Sequence, residues 1–228
     1  QHILPVENKE TEDDRLLYLQ PLPKSKKMIG GAAISVKQIN DETMHMLELA
    51  YENVSQAFGQ LLQFSDKIDE QIYKREDTVN YLDKVISTAL ATPNLNVNIS
   101  QALSSYYLML VDIERISDYA VNMNHQATKR LQGDMTISEI EIVEHMKKLC
   151  VDMKNDLSDV EEAERKDDVI DSLVSSWREA QIQALKQQKC SSEVSMMLSR
   201  IFTDFERIND HALNVSQEFD KINIEIPE

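Results

Sequence analysis

From residue 40 onward, apolar residues return every three or four positions with polar residues between them. This spacing is that of one buried face of an α-helix. The first such run predicts a helix whose inward residues are Met44, Leu47, Val54, Ala57, Phe58, Leu61 and Leu62. A second helix is predicted over residues 67–91, with Ile68, Ile72, Val79, Leu82, Val85 and Ile86 facing inward. Pro93 ends it, because proline lacks the backbone N–H that a continuing helix needs.

A third and a fourth helix follow by the same spacing. The third is predicted over residues 98–131, with Gly133 as its C-terminal cap. Thr136 and Glu139 have the pattern of a capping box, in which each residue binds the backbone N–H of the other. They predict the start of the fourth helix, which extends to about residue 160.

The last two helices complete a second set of three. The fifth is predicted over residues 165–188, and the sixth from an N-cap at Ser191 or Ser192 to about residue 222. Long helices with short connections are typical of antiparallel bundles. We therefore predict an all-α protein of two tandem antiparallel three-helix bundles, the first at residues 37–133 and the second at residues 134–228.

The first part of the chain, residues 1–36, shows no helical period and is predicted to be a linker. Prolines, a basic patch and a glycine pair interrupt every pattern there: Pro5, Pro21, Pro23, residues 24–27, Gly30 and Gly31. No stretch of the sequence approaches the roughly 18–20 consecutive apolar residues of a membrane-spanning helix.

One short motif occurs twice, 92 residues apart, in the third helix of each half. Residues 112–118 read Asp-Ile-Glu-Arg-Ile-Ser-Asp, and residues 204–210 read Asp-Phe-Glu-Arg-Ile-Asn-Asp. Over the thirteen positions from 110 to 122, seven residues are identical to those 92 positions later. Internal duplication explains this identity, so the third helix of each half is the same element used twice.

The duplicated motif carries pairs of acids four residues apart: Glu114 with Asp118, and Glu206 with Asp210. Residues at this spacing share one helix face, where two like charges cost an isolated helix roughly 0.2–0.5 kcal/mol. A hard cation bound by such oxygens would turn the repulsion into attraction. The alternative is that the neighbouring arginines, Arg115 and Arg207, neutralise the acids and that the motif fixes packing between the repeats.

The second helix of each half offers a matching row. Asp167 and Asp171 repeat the four-residue spacing, and Glu76 with Asn80 is a near copy in the first half. In an antiparallel pair of helices these rows can face those of the duplicated motif. The predicted metal ligands are therefore Glu206, Asp210, Asp167, Asp171, Glu114, Asp118, Glu76 and Asn80.

Composition narrows the class of function. The chain has 40 acidic and 24 basic residues, a net charge of −16, which argues against nucleic-acid binding and suits cations or basic partners. Cys150 and Cys190 form no CxxC motif, which indicates a reducing compartment and two unpaired, buried thiols. There is no Gly-rich phosphate loop and no nucleophile with a recognisable base, so we predict that the protein is not an enzyme.

Several other residues have plain structural interpretations. His125 is interpreted as a solvated histidine near a helix end, and Trp177 and His211 as packing residues. The methionines of the helices are interpreted as core residues: Met109, Met123, Met146, Met153, Met196 and Met197.

The segments Glu114-Arg115-Ile116-Ser117-Asp118 and Glu206-Arg207-Ile208-Asn209-Asp210 resemble the signature of the PhoU family of phosphate-uptake regulators. The likeness extends over about residues 34–222. It implies two three-helix bundles that bind multinuclear iron or zinc clusters through E(D)xxxD motifs, with magnesium as a further candidate. Asn80 stands where the family has an acid, so we expect the second half to bind metal more strongly than the first.

A finer resemblance is to the PhoU-like C-terminal domain of bacterial sodium/phosphate cotransporters, on residues 16–21, 189–191 and the Asp210-His211 pair. It implies a membrane-embedded transport domain of the same polypeptide as partner and a place on the cytoplasmic side of the bacterial inner membrane. It would also explain why the chain begins at Gln1. A homodimer and signalling proteins are further candidate partners.

Two alternatives to the cotransporter domain stay open. The first is a free-standing PhoU-type regulator. The second, of another class, is a ferritin-like metal-carboxylate enzyme, for which Glu42 and His45 supply a Glu-x-x-His motif. A ferritin-like di-iron site needs two such motifs on separate helices, and the sequence has one.

Overall fold

The computed structural model describes residues 15–19, 36–91 and 100–225. These residues contain six α-helices and no β-strand, which confirms the all-α prediction. The helices are α1 (Val36–Leu62), α2 (Asp66–Leu90), α3 (Ser100–Ala127), α4 (Ile137–Asn155), α5 (Val160–Lys186) and α6 (Ser192–Glu225), and a 3₁₀ turn spans Leu131–Asp134. Among the described helices, none has the length and apolar character needed to cross a bilayer.

The third helices of the two halves, α3 and α6, form the most extensive interface between helices. Helix α1 packs on α2 and α3, α5 packs on α6, and α1 also contacts α4 of the other half. Buried apolar residues from all six helices belong to one cluster, and Phe58 of α1 meets Phe205 of α6 edge to face at 6.3 Å between ring centroids. One core therefore runs through both halves, and the division into repeats at residue 133 stays a prediction.

Several predicted helix starts agree with the structure. Thr136 and Glu139 form the capping box of α4: the Thr136 hydroxyl accepts from the Glu139 N–H at 3.3 Å, and Glu139 accepts from the Thr136 N–H at 2.7 Å. The Ser191 hydroxyl accepts from the Val194 N–H at the start of α6. Helix α5 begins at Val160, earlier than predicted, because the Asp159 carboxylate caps it.

The end of α3 differs from the sequence prediction. The helix ends at Ala127, and Gly133 lies in the 3₁₀ turn rather than acting as a cap. The residue in the left-handed region is Arg130, with φ of 55°. The Ala127 carbonyl accepts from the Arg130 backbone N–H at 3.0 Å and from the Gln132 side chain at 3.2 Å, so this helix end is closed without a glycine. The predicted Gly133 cap is therefore wrong.

Residues 15–19, part of the predicted linker, are docked on the first half. Their backbone N–H groups at Leu17, Tyr18 and Leu19 donate to the carboxylate of Glu42 at 3.2, 2.7 and 2.8 Å. Glu42 is fully buried, and Leu19 joins the core. The prolines, basic patch and glycines that carried the linker prediction lie outside the described residues.

Candidate carboxylate sites

The first carboxylate row consists of Glu76 and Asn80 on α2 with Glu114 and Asp118 on α3. Glu76 is nearly buried, and both of its oxygens are bonded: Ser117 Oγ donates to Oε2, and Asn80 Nδ2 donates to Oε1 at 3.1 Å. Burial raises the pKa of Glu76, and the charges of Asp118 and Glu114 raise it further, against the lowering effect of the two hydrogen bonds. The carboxylates of this row on α2 and α3 are therefore close enough for their charges to interact.

The second carboxylate row consists of Asp167 and Asp171 on α5 with Glu206 and Asp210 on α6. Burial raises the pKa of Asp167 to about 6, and the charges of Asp171, Asp210 and Asp168 add to the effect. Asp167 Oδ1 is buried and has no hydrogen-bond partner within the described part of the chain. Asp171 is exposed. The second row therefore contains a buried acceptor without a hydrogen-bond donor. In the first row, Ser117 and Asn80 donate to both oxygens of Glu76.

Arginines contact both rows, as the alternative to metal binding requires. Arg115 lies 3.7 Å from Glu114 and 3.7 Å from Asp118. Arg207 lies 3.3 Å from Asp210. These pairs are half-exposed, where an ion pair contributes about 0–1 kcal/mol, so they offset the repulsion only in part.

Sequence reasoning missed Arg178, which belongs to α5 and reaches Glu206 of α6 at 2.5 Å. Its guanidinium also donates to Thr203 Oγ1 at 3.1 Å. No motif marks this residue, since the pairing arises only when the two helices pack. Asp83 was missed as well, although it lies seven residues after Glu76; its charge raises the pKa of Glu114, after burial and Asp118.

The fit of these rows to a metal ion is incomplete. Buried carboxylate oxygens, above all Asp167 Oδ1, are the donors that a hard cation prefers. Within residues 15–19, 36–91 and 100–225, however, no three His, Cys, Asp or Glu side chains are grouped closely enough to hold a metal. The α6 acids Glu206 and Asp210 form ion pairs with arginines instead, Glu206 with Arg178 and Asp210 with Arg207. Metal binding by the eight predicted ligands therefore stays a prediction and requires these side chains to rearrange.

Three other residues singled out in the sequence, His125, His211 and Trp177, lie in the kinds of position that the sequence predicted for them. His211 Nδ1 lies 2.7 Å from Asp112 Oδ1, and the His211 ring stacks on Tyr119, so it joins α6 to α3. His125 is exposed. Trp177 packs against aromatic rings of α6. Glu42 and His45 are bonded to each other at 2.9 Å, and Glu42 binds the docked segment rather than facing a second Glu-x-x-His motif.

Two minor predictions are wrong. Met196 is 63% exposed, because Val194, Met197 and Leu198 occupy the core-facing side of this turn of α6. Cys150 is buried, and burial raises its pKa, but Cys190 is partly exposed. Both thiols are unpaired, as predicted.

The fold and the paired rows define a class: a helical-bundle protein made of two similar halves, each with acidic residues on facing helices. The model of the PhoU domain family matches residues 43–127 and 138–219, most of the chain. The chain therefore belongs to the PhoU family.

Individual relatives agree with this assignment. The chain is 22% identical over 196 residues to the phosphate-specific transport system accessory protein PhoU homolog 1 of Thermotoga maritima, covering 79% of this chain and 83% of the relative. The crystal structure of PhoU from Pseudomonas aeruginosa superposes with a TM-score of 0.71 at 17% identity, covering 84% of this chain and 98% of that one. The crystal structure of the phosphate transport system regulatory protein PhoU from Streptococcus pneumoniae superposes with a TM-score of 0.71 at 19% identity. The match covers 84% of this chain and 95% of that one.

Proposed function

We propose that this protein is a PhoU-type regulator of phosphate uptake that acts as a protein separate from the transporter it regulates. The observation that carries the proposal is the match of both halves to the PhoU domain. The relative from Thermotoga maritima is named as an accessory protein of a phosphate-specific transport system. The chain covers 83% of that relative and 98% and 95% of the two solved PhoU chains.

Uptake of radiolabelled phosphate tests this function. We expect a deletion of the gene to change the rate of uptake, measured at low and at high external phosphate, and a plasmid copy to restore the rate. A control deletion in an unrelated gene leaves it unchanged. Uptake that equals the wild-type rate at every phosphate concentration would contradict the proposal.

The second candidate is the domain of a sodium/phosphate cotransporter. The observation that favours it is the docking of residues 15–19, which include part of the segment that resembles such transporters. The docked segment would fix the position at which a preceding domain joins the helical bundle. An antibody against the chain distinguishes the candidates. A cellular product near the chain's 26.2 kDa supports the separate regulator, and a much larger product in the membrane fraction supports the cotransporter.

We also propose that the rows bind cations, the second row more strongly than the first. Asp167 Oδ1 supports this, since a bound cation would satisfy a buried acceptor. Calorimetric titration with iron, zinc, manganese and magnesium tests it. We expect Asp210→Asn to weaken binding at least tenfold and Asp118→Asn to weaken it less, because the first row already has Asn80. If none of the four ions binds at neutral pH, the rows are packing features.

A further inference from the structure

A cavity of about 720 Å³ lies between α1 and α2, next to the docked segment 15–19. None of the eight residues of the carboxylate rows lines it. Three basic side chains converge on it, Arg15, Lys74 and Arg75, although the chain as a whole carries a net charge of −16. Its walls also supply uncharged hydrogen-bonding groups from Gln56 and Thr78. This combination suits an anionic, polar ligand.

Arg75 is held in place before any ligand binds. Its side chain is 13% exposed, and its guanidinium donates to Glu52 at 2.6 Å, to Asn53 at 2.8 Å and to Gln56 at 3.2 Å. These contacts use three of the five N–H groups of the guanidinium and leave two for a ligand. They also neutralise Glu52, which would otherwise repel an anion from the wall of the cavity.

Arg15 and Lys74 complete the basic lining. Arg15 stacks over the ring of Tyr81, 3.8 Å from its centroid, and the bonds from residues 17–19 to Glu42 hold this segment on α1. Lys74 has no ion pair with any residue that the structure describes. With Glu52 paired, Asp77 is the one acid left in the lining, so Arg15 and Lys74 outweigh it.

The cavity is connected to the first carboxylate row through buried side chains. Asn53, which accepts from Arg75, donates to Ser117 Oγ at 3.0 Å, and Ser117 donates to Glu76. Asn53 and Ser117 are both fully buried. A ligand that draws Arg75 away from Asn53 would therefore disturb the hydrogen bonds that hold Glu76.

We propose that this cavity binds a phosphate-bearing small molecule through Arg15, Lys74 and Arg75. Arginine offers a planar fork for phosphate oxygens, and lysine adds a point charge. The volume is within the 300–1,000 Å³ or so of pockets for drug-sized ligands, which leaves room beside the phosphate group for the rest of a phosphorylated metabolite. The choice of phosphate over another anion rests on the proposed function; the site itself does not.

Calorimetry on the full chain tests the proposal with three probes: ATP, inorganic phosphate and citrate, an anion without phosphate. We expect ATP to bind, and Lys74→Gln and Arg15→Gln each to weaken it at least fivefold. Lys84→Gln is the matched control, because Lys84 is exposed on the same helix, lies outside the cavity and loses the same charge. Circular dichroism verifies that each variant is folded.

The outcomes separate the possible ligands. Tighter binding of ATP than of inorganic phosphate supports a phosphorylated metabolite, and equal binding of the two assigns the site to free phosphate. Citrate binding as tightly as ATP would overturn the choice of phosphate. No binding of either phosphate compound at millimolar concentration, or equal weakening by Lys74→Gln and Lys84→Gln, would overturn the site. None of these measurements depends on transport, so the proposed function stands or fails separately.

Discussion

The carboxyl group of Asp167 is half-buried beside two acids of its own row, and its pKa is raised to about 6 by burial first and by those charges second. Because the folded pKa lies above the ordinary value of 3.8, ionisation opposes folding. In metal-free protein this penalty is absent below about pH 4, grows as the pH rises from about 4 to about 6 and is complete at pH 7.

Asp167→Asn removes this penalty. We expect the variant to gain about 1 kcal/mol in free energy of unfolding at pH 7.5, a figure reduced for solvent screening, and to gain nothing at pH 4. Urea titrations with a chelator present measure this. Glu179→Gln, at an exposed position of α5, is the control. A loss of stability at pH 7.5 without metal would contradict the argument, whereas a loss only with metal present would support cation binding.

The hydroxyl of Tyr51 has no hydrogen-bond partner among the described residues, although it is buried. A buried unpaired hydroxyl costs about 1–3 kcal/mol, so we expect Tyr51→Phe to leave the free energy of unfolding unchanged or to raise it. Tyr106 is the matched comparison, because its hydroxyl donates to Asn40 at 3.2 Å. Tyr106→Phe is expected to lose about 1 kcal/mol. Equal losses in the two variants would show that the Tyr51 hydroxyl is paired in solution.

At the scale of elements, the docking of residues 15–19 depends on one carboxylate. Three backbone N–H groups share Glu42, and bonds to a charged acceptor are worth about 1.5–3 kcal/mol each. We expect Glu42→Gln to release the segment. Hydrogen exchange at Leu17, Tyr18 and Leu19 should then rise at least tenfold, while exchange in α3 stays slow. Glu48→Gln, at an exposed position of α1, should leave these amides protected. Unchanged protection in Glu42→Gln would mean that the other contacts of the segment, the burial of Leu19 and the stacking of Arg15 on Tyr81, anchor it without this carboxylate.

The helices themselves could be predicted because apolar spacing repeats along each of them and the caps at Thr136 and Ser191 are local. Spacing and antiparallel packing also allow the acids of α2 to face those of α3, and in the structure the charges of Asp118 and Glu114 reach Glu76. The contact of Arg178 with Glu206 could not, because it depends on which turn of α5 meets which turn of α6. The docking of residues 17–19 on Glu42 could not either, because it satisfies backbone groups that no sequence pattern marks.

At the scale of the whole molecule, the repeat predicts two units that unfold independently, whereas the shared core predicts a single cooperative unit. Duplication suggests two units, but Phe58 of the first half contacts Phe205 of the second, and Asp112 of α3 binds His211 and Asn214 of α6. The most extensive helix interface crosses between the halves. Separating the two halves would expose the apolar surface of this interface to water at a cost of roughly 25 cal/mol per Å². Within the described residues, neither half has another surface against which to bury it.

We therefore expect one unfolding transition for both halves. Trp177, the one tryptophan of the chain, reports on the second half by fluorescence, and circular dichroism at 222 nm reports on all helices. In urea the two signals should give the same midpoint, which is the test of a two-state transition. Phe58→Ala, a change in the first half, should shift both midpoints together, with a loss of about 3–5 kcal/mol. If Phe58→Ala shifts the circular dichroism midpoint and leaves the Trp177 midpoint in place, the halves unfold separately and the predicted division at residue 133 marks two independent domains.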